Sequence, residues 1–297
     1  MFFIMPRVLI TGVNGFIGNH LTETFLRKNW YVTGVGGTHA PTIGHNRFHY
    51  LSGGIQSLVE ENIYHIDYIF HLAFSTNILN SIEHPVETTE ENIGNTIRLL
   101  ALSCRAGVKK FLLASSASLY GNNMIPWQEE MTPDPIEPYS WQKLACEDAC
   151  RMWMKRYGMP AVVLRLFQVF GDKQRGDTAI ALFSQMKKAG KPLTLTNAGS
   201  ESSPKSFERD FVYVGDVADA FEKAAVSEKT GQGEVINIGS GKATLMEDIA
   251  KVFGDKIVWI SKREYEVAKH QAAIIKAKQL LNWQPTIDVL QWLDKNV

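Results

Sequence analysis

Short apolar runs alternate along the chain with stretches in which apolar positions recur every three or four residues, the two periods that separate strand from helix. The run Val8-Leu9-Ile10 reads as a first strand and stops at Gly12; Ile17, Leu21 and Phe25 then mark one face of a helix. Residues 30–35, 48–51, 68–73, 111–114 and 161–166 read as further strands, the 68–73 run being apolar enough for a central parallel position. The spacing predicts helices over about 89–106, with Ile93, Ile97, Leu100 and Cys104 on one face, and over about 139–157. Strands alternating with helices predict an α/β fold built on a doubly wound parallel sheet. After residue 166 the pattern loosens into a polar loop at 172–177, a helix at 179–189 and a Ser/Gly/charge-rich stretch at 197–205. A strand returns at 235–238, followed by a helix at 245–253 and another over 272–281 that ends before Pro285. The expected division is a first domain over 1–165, rejoined by 208–240, with 166–207 and 241–297 forming a smaller C-terminal lobe.

Composition narrows the class. The 297 residues carry 31 basic and 31 acidic side chains, so net charge makes no case for nucleic acid or an anionic membrane surface. No apolar run approaches membrane-spanning length, and the apolar Met1–Met5 lacks a basic flank and a cleavage site. Cys104, Cys146 and Cys150 have no metal-ligand spacing; buried reduced thiols are expected, which suits the cytoplasm, and no metal is expected.

The glycine turn brings in chemistry. Gly12, Gly15 and Gly18 follow a strand and open a helix, so free backbone N–H groups and the positive helix end converge where no side chain blocks a pyrophosphate. Asn14, Phe16 and Ile17 lie within this turn, and Leu72 and Ala73 close the fourth strand on the side where ligands of such sheets bind. Three glycines alone fit an ordinary strand–helix turn as well; the strand before and the helix after favour a dinucleotide. At the end of the second strand, where an acid would bind the ribose of NAD, the chain has Gly36-Gly37-Thr38-His39. Nothing there repels a 2′-phosphate, and Thr38, His39 or Arg47 could hold one, so the cofactor is NAD or NADP.

Tyr139 and Lys143 stand four apart near the start of a helix and share a face. An adjacent ammonium favours the phenolate, which lets a tyrosine exchange a proton with a hydroxyl near neutral pH. Ser116, at the end of the fifth strand, could bond the same oxygen.

Gly12-x-x-Gly15-x-x-Gly18, Ser115-Ser116-Ala117-Ser118-Leu119-Tyr120-Gly121 and Tyr139-x-x-x-Lys143 together resemble the extended short-chain dehydrogenase/reductases, in particular their nucleotide-sugar epimerase/dehydratase branch. The likeness extends through Leu164–Gly171, Arg209–Val214, Asn237–Gly241 and Lys276–Trp283. It implies a Rossmann-type first domain binding NAD(P), with Tyr139 as acid/base, Lys143 as its electrostatic partner and the holder of the cofactor ribose, and Ser116 aligning the reacting hydroxyl. Asn92 matches an asparagine near the catalytic group. Gln168, Arg209, Arg263 and Glu266 match positions that hold the nucleoside-diphosphate sugar. The plainer readings are a helix cap for Asn92, backbone satisfaction for Gln168, an ion pair with Asp210 for Arg209 and a solvated charge for Arg263. Acid-bearing positions of the dehydratases are Ala117 and Ser118 here, which discounts dehydration. The resemblance implies a nucleotide-sugar 4-epimerase, with an NADPH-dependent 4-keto-sugar reductase as the alternative and a non-catalytic dinucleotide sensor behind both. It also implies a homodimer through helices 92–106 and 139–157.

Overall fold

The computed structural model describes residues 5–262 and 266–297. The chain runs β1 (Arg7–Thr11), α1 (Phe16–Arg27), β2 (Tyr31–Val35), β3 (Phe48–Leu51) and β4 (Tyr68–His71). Two short helices, α2 (Ile78–Glu83) and α3 (Pro85–Thr89), precede α4 (Asn95–Ala106), β5 (Lys110–Ser116), α5 (Pro138–Tyr157) and β6 (Ala161–Leu166). The second half contains β7 (Gln168–Phe170), α6 (Ala179–Lys188), β8 (Leu193–Thr196), β9 (Glu208–Tyr213), α7 (Val214–Val226) and β10 (Gln232–Ile238). It closes with β11 (Ala243–Leu245), α8 (Met246–Phe253), β12 (Ile257–Ile260), α9 (Ile275–Leu281) and α10 (Val289–Asn296).

A seven-stranded sheet in the order β10-β6-β5-β4-β1-β2-β3, every pairing parallel, forms the centre. This is the doubly wound α/β fold that the pattern predicts. Side chains alternate across each strand: Val8, Ile10, Phe70, Leu112 and Leu164 pack with α1 and α7, whereas Leu9, Ile69, Phe111, Leu113 and Val163 pack with α4 and α5. Both faces are therefore apolar, as a sheet covered on two sides requires.

The lobe is built on a three-stranded sheet, β11-β9-β7, and a two-stranded parallel pair, β12-β8, around Phe170, Phe183, Phe211, Phe253 and Leu293. The expected return of 208–240 is divided: β9 pairs within the lobe, whereas α7 and β10 cover and extend the central sheet. The helix expected over 89–106 is interrupted by a π-helical turn at Glu90–Gly94. The last expected helix starts at Ile275 rather than 272, because Ala272 is held in a β-bridge to Trp127.

Candidate active site

The carboxyl ends of β1, β4 and β5 and the β6–β7 junction open onto a cleft of about 490 Å³. The glycine turn is its floor. Gly12 has φ +71°, and a Cβ there would stand 2.8 Å from the Ala73 nitrogen; a Cβ on Gly18 would stand 2.2 Å from the Gly12 oxygen. Gly15 precedes α1 in extended backbone, no side chain caps the helix, and its first turn carries no acid. The first N–H groups of α1 are left for a ligand, so the cradle fits a pyrophosphate. Phe16, Ile17, Leu72 and Ala73 line the same cleft.

The loop after β2 is exposed. Asn14 Nδ2 donates to His39 O (2.6 Å), the Tyr50 hydroxyl lies 2.7 Å from Gly37 O, and Thr38 Oγ1 meets His39 Nδ1 at 3.0 Å. A Cβ on Gly36 would stand 2.8 Å from both Asn14 Oδ1 and the Tyr50 hydroxyl. The place from which an acid would reach the ribose is thus filled by Tyr50, which the sequence pattern did not single out. Arg47 is corrected as a phosphate candidate: its guanidinium packs 5.0 Å from the Tyr31 ring and bonds Asn29 O, at the opposite end of β2.

At the other end of the cleft, Ser116 is the last residue of β5 and Tyr139 the second of α5. Ser116 Oγ accepts the Ser118 N–H (3.1 Å), which directs its own proton to the Tyr139 phenol. Burial pushes the phenol up to about 12; the Ser116 bond opposes this, Glu137 adds to it and Arg175 opposes it. Lys143 is buried and donates to Ala114 O at 2.7 Å. Burial lowers its ammonium to about 8 against the pull of Cys146 and Glu147. A second cation, Arg175, which the sequence reading missed, also favours the phenolate, as the weakest of these influences. Arg175 lines the cleft, pairs with both oxygens of Asp177 (3.0 and 2.8 Å) and donates to Thr76 Oγ1.

Asn92 is no helix cap. It sits in the π-helical turn, accepts the Ser75 N–H on Oδ1 (2.7 Å) and donates Nδ2 to Gln142 Oε1 (2.7 Å), joining the loop after β4 to α5. A buried chain continues from it. Thr11 Oγ1 accepts the Leu72 and Ala73 N–H groups (3.2 and 3.1 Å), so its proton goes to His71 Nδ1 (2.8 Å). His71 Nε2–H then donates to Thr96 Oγ1 (2.9 Å), which donates to Asn92 O (2.8 Å). Burial, aided by Lys143, holds the imidazole down to about 3 and therefore neutral. This chain connects the glycine turn to α4 and, through Asn92 and Gln142, to α5.

Toward the lobe, Gln168 opens β7 and lines the cleft. Arg209 Nη1 donates to Glu208 O (2.9 Å) and Ala268 O (3.2 Å); burial lowers its guanidinium to about 10, and Glu266 opposes this. The expected alternative, an Arg209–Asp210 pair, does not form: Asp210 instead accepts the N–H groups of Ser240, Gly241 and Ala272. Arg263 lies outside the described residues. A recess of about 410 Å³ adjoins the cleft, sharing Ser118, Gln168, Arg175 and His270 with it and reaching Arg209 and Glu266. Its wall includes Glu137, which caps α5 through Oε1 to Ser140 N (3.1 Å) and leaves Oε2 without a partner. Ala117 and Ser118 carry no acid, as read from the sequence, yet the fold supplies one from Glu137. Among the described residues no His/Cys/Asp/Glu group could hold a metal.

The pattern of the NAD dependent epimerase/dehydratase family matches residues 8–239. The chain belongs to that family. The UDP-glucuronate 4-epimerase of Thermodesulfobacterium geofontis is 30% identical over 323 residues, spanning 99% of this chain and 95% of its own length. The putative UDP-glucose 4-epimerase of Methanocaldococcus jannaschii is 29% identical, spanning 97% and 99%. The structure of UDP-glucuronic acid 4-epimerase from Bacillus cereus, in complex with UDP-glucuronic acid and NAD, matches with a TM-score of 0.88 at 28% identity, over 97% of this chain and 96% of that one.

Behind the epimerase-family site lies a second buried network. Glu147, one turn beyond Lys143, accepts Ser115 Oγ and Arg165 Nε (3.0 Å) on Oε1 and Arg165 Nη2 (2.8 Å) on Oε2. The Arg165 guanidinium stacks 4.7 Å from the Tyr120 ring, whose hydroxyl donates to Asn237 Oδ1 (2.7 Å). Both charges are shut off from water, so each depends on the other.

Proposed function

We propose that this chain is an NAD-dependent nucleotide-sugar 4-epimerase in which Tyr139 is the acid/base. One observation carries the reading: the Tyr139 phenol, bonded by Ser116, shares one cleft with a glycine cradle that fits a dinucleotide pyrophosphate, with Lys143 one turn away. Bound NAD supplies the hydride chemistry at the sugar C4. Ser116 orients the C4 hydroxyl, and Tyr139 takes its proton as the carbonyl forms. After the 4-keto sugar turns over in the recess, the hydride would return to the opposite face of C4, and Tyr139 gives the proton back to the same C4 oxygen. Burial alone disfavours the phenolate, so Lys143 and Arg175 are the cations that make this proton transfer affordable. Lys143 also holds the nicotinamide ribose. Arg209 binds the diphosphate, Arg263 and Glu266 the nucleoside, and Gln168 orients the sugar, whereas Asn92, whose amide is taken up by Ser75 and Gln142, braces the site from behind.

UDP-glucuronate is the substrate we favour, because Arg175 brings a guanidinium into the cleft beside Tyr139 and relatives named for that sugar span the whole chain. The absent acid at Gly36 favours a second reading, an NADPH-linked 4-keto-sugar reductase. Exposed Ile97, Trp141 and Met152 on α4 and α5 support a homodimer through these helices. Three free cysteines support a cytoplasmic protein. The test is product analysis by NMR with UDP-glucuronate and substoichiometric NAD. The proposal expects interconversion of the C4 epimers with no net change in NAD; stoichiometric NADPH consumption on a 4-keto sugar would favour the reductase instead.

A further inference from the structure

Lys143 has a neighbour that the family motifs do not include. Its Nζ stands 3.5 Å from the centroid of the Phe74 ring and 5.8 Å from that of Tyr139. The Phe74 and Tyr139 rings meet almost perpendicularly, at 83° with centroids 5.8 Å apart. One side chain therefore touches both members of the acid/base pair. Phe74 lines the cleft, and its backbone is pinned on either side, by Ala73 N–H to Thr11 Oγ1 (3.1 Å) and Ser75 N–H to Asn92 Oδ1 (2.7 Å). The ring thus stands on a segment fixed at both ends.

We propose that Phe74 is a positioning residue whose aromatic face seats the Lys143 ammonium, keeping it charged and in register with Tyr139. The inference rests on the catalytic reading of Tyr139 and Lys143 above. The face of an aromatic ring is the negative end of its quadrupole, and it attracts a desolvated ammonium. The need for such a seat is evident from the rest of the environment. Burial brings the Lys143 ammonium to about 8, within reach of physiological pH. The groups that bear on it are Cys146 and Glu147 of its own helix, which favour the charge, and His71 of β4, which stays neutral. Glu137 and Arg175 act on Tyr139 with opposite sign. Ala114 O supplies one hydrogen bond, and the Phe74 face covers a further side of the cation.

The test follows the Lys143 charge directly in the ligand-free protein, by NMR titration of ¹³Cε-labelled lysine assigned with Lys143→Met. Phe74→Leu keeps an apolar wall but removes the quadrupole. Replacing Phe74 by 4-fluoro-, 3,5-difluoro- and 3,4,5-trifluorophenylalanine keeps the ring shape and weakens the quadrupole stepwise, which covers the case that the leucine variant folds poorly. The expected result is a titration midpoint that falls by about one pH unit in Phe74→Leu and in steps along the fluorinated series, with Phe74→Tyr unchanged. The alkaline limb of kcat should move down with it. A midpoint unmoved across the fluorinated series would overturn the proposal and leave Phe74 as packing. A midpoint that moves while the kcat limb stays would keep the seat but refute the role given to Lys143 in the reaction.

Discussion

The two ends of the cofactor cleft are built differently. At the catalytic end, Ser116, Tyr139 and Lys143 stand on a strand end and a helix, backed by closed hydrogen-bond chains through His71 and Asn92 and by the buried Glu147–Arg165 pair. At the adenosine end, Gly36, Thr38 and His39 lie on an exposed loop held by Tyr50 and Asn14. The difference teaches where precision is needed. Proton transfer is sensitive to small errors in position, so its residues sit on a strand end and a helix braced by buried hydrogen-bond chains. Holding an adenosine ribose affects affinity alone, and a loop suffices.

The comparison is broken most severely at the Glu147–Arg165 pair. Glu147→Ala strands a buried guanidinium, and we expect a loss of about 3–5 kcal/mol in denaturant unfolding. Glu147→Gln, which keeps one oxygen acceptor for Ser115 and Arg165 Nε but sets an amide donor against Arg165 Nη2 and leaves the charge unneutralised, should lose somewhat less. A loss below about 1 kcal/mol in the alanine variant would show that the pair is not shut off from water.

The next effect is on pH. His71 has a folded-state pKa far below its unfolded value, so below about 6.5 the unfolded chain binds the proton that the fold refuses. The stability held above 6.5 is therefore lost as pH falls. Between pH 6.5 and 5 the cost from His71 is roughly 1.5 kcal/mol, and His270, also held low by burial and Arg209, adds in the same direction. Denaturant midpoints across this range, compared with those of His71→Asn, test this; an unchanged slope in the variant would contradict it.

The smallest effect belongs to the adenosine end. No carboxylate follows β2, so NAD and NADP should bind with Kd values within about tenfold, an energy difference near 1.4 kcal/mol or less. Titration calorimetry gives the ratio, and a hundredfold preference for either cofactor would show a ribose reader that the loop does not display.

The sequence made the sheet and the core of the catalytic end legible, because both follow from period and spacing: apolar strands, glycines that admit no Cβ, and Tyr139 and Lys143 one helical turn apart. What it concealed depends on long-range packing. The π-helical turn that swings Asn92 inward has no local pattern, and Phe74, Glu137, Arg175 and His270 lie on loops or at a helix cap, with no periodicity to mark them. Arg165 was visible as a charge within the apolar run 161–166, and that oddity alone could have prompted a search for its partner, Glu147. The strands of the lobe were missed because several span only three or four residues, too few to show alternation.

The central claim is that Tyr139 moves the proton. The most direct measurement compares Tyr139→Phe with the native chain in C4 epimerisation of UDP-glucuronate, alongside the Kd for NAD. The account predicts turnover lowered by about 10²–10⁴-fold with NAD binding retained, since the ring stays and only the proton donor is lost. Native turnover in the variant, with cofactor bound as before, would contradict it.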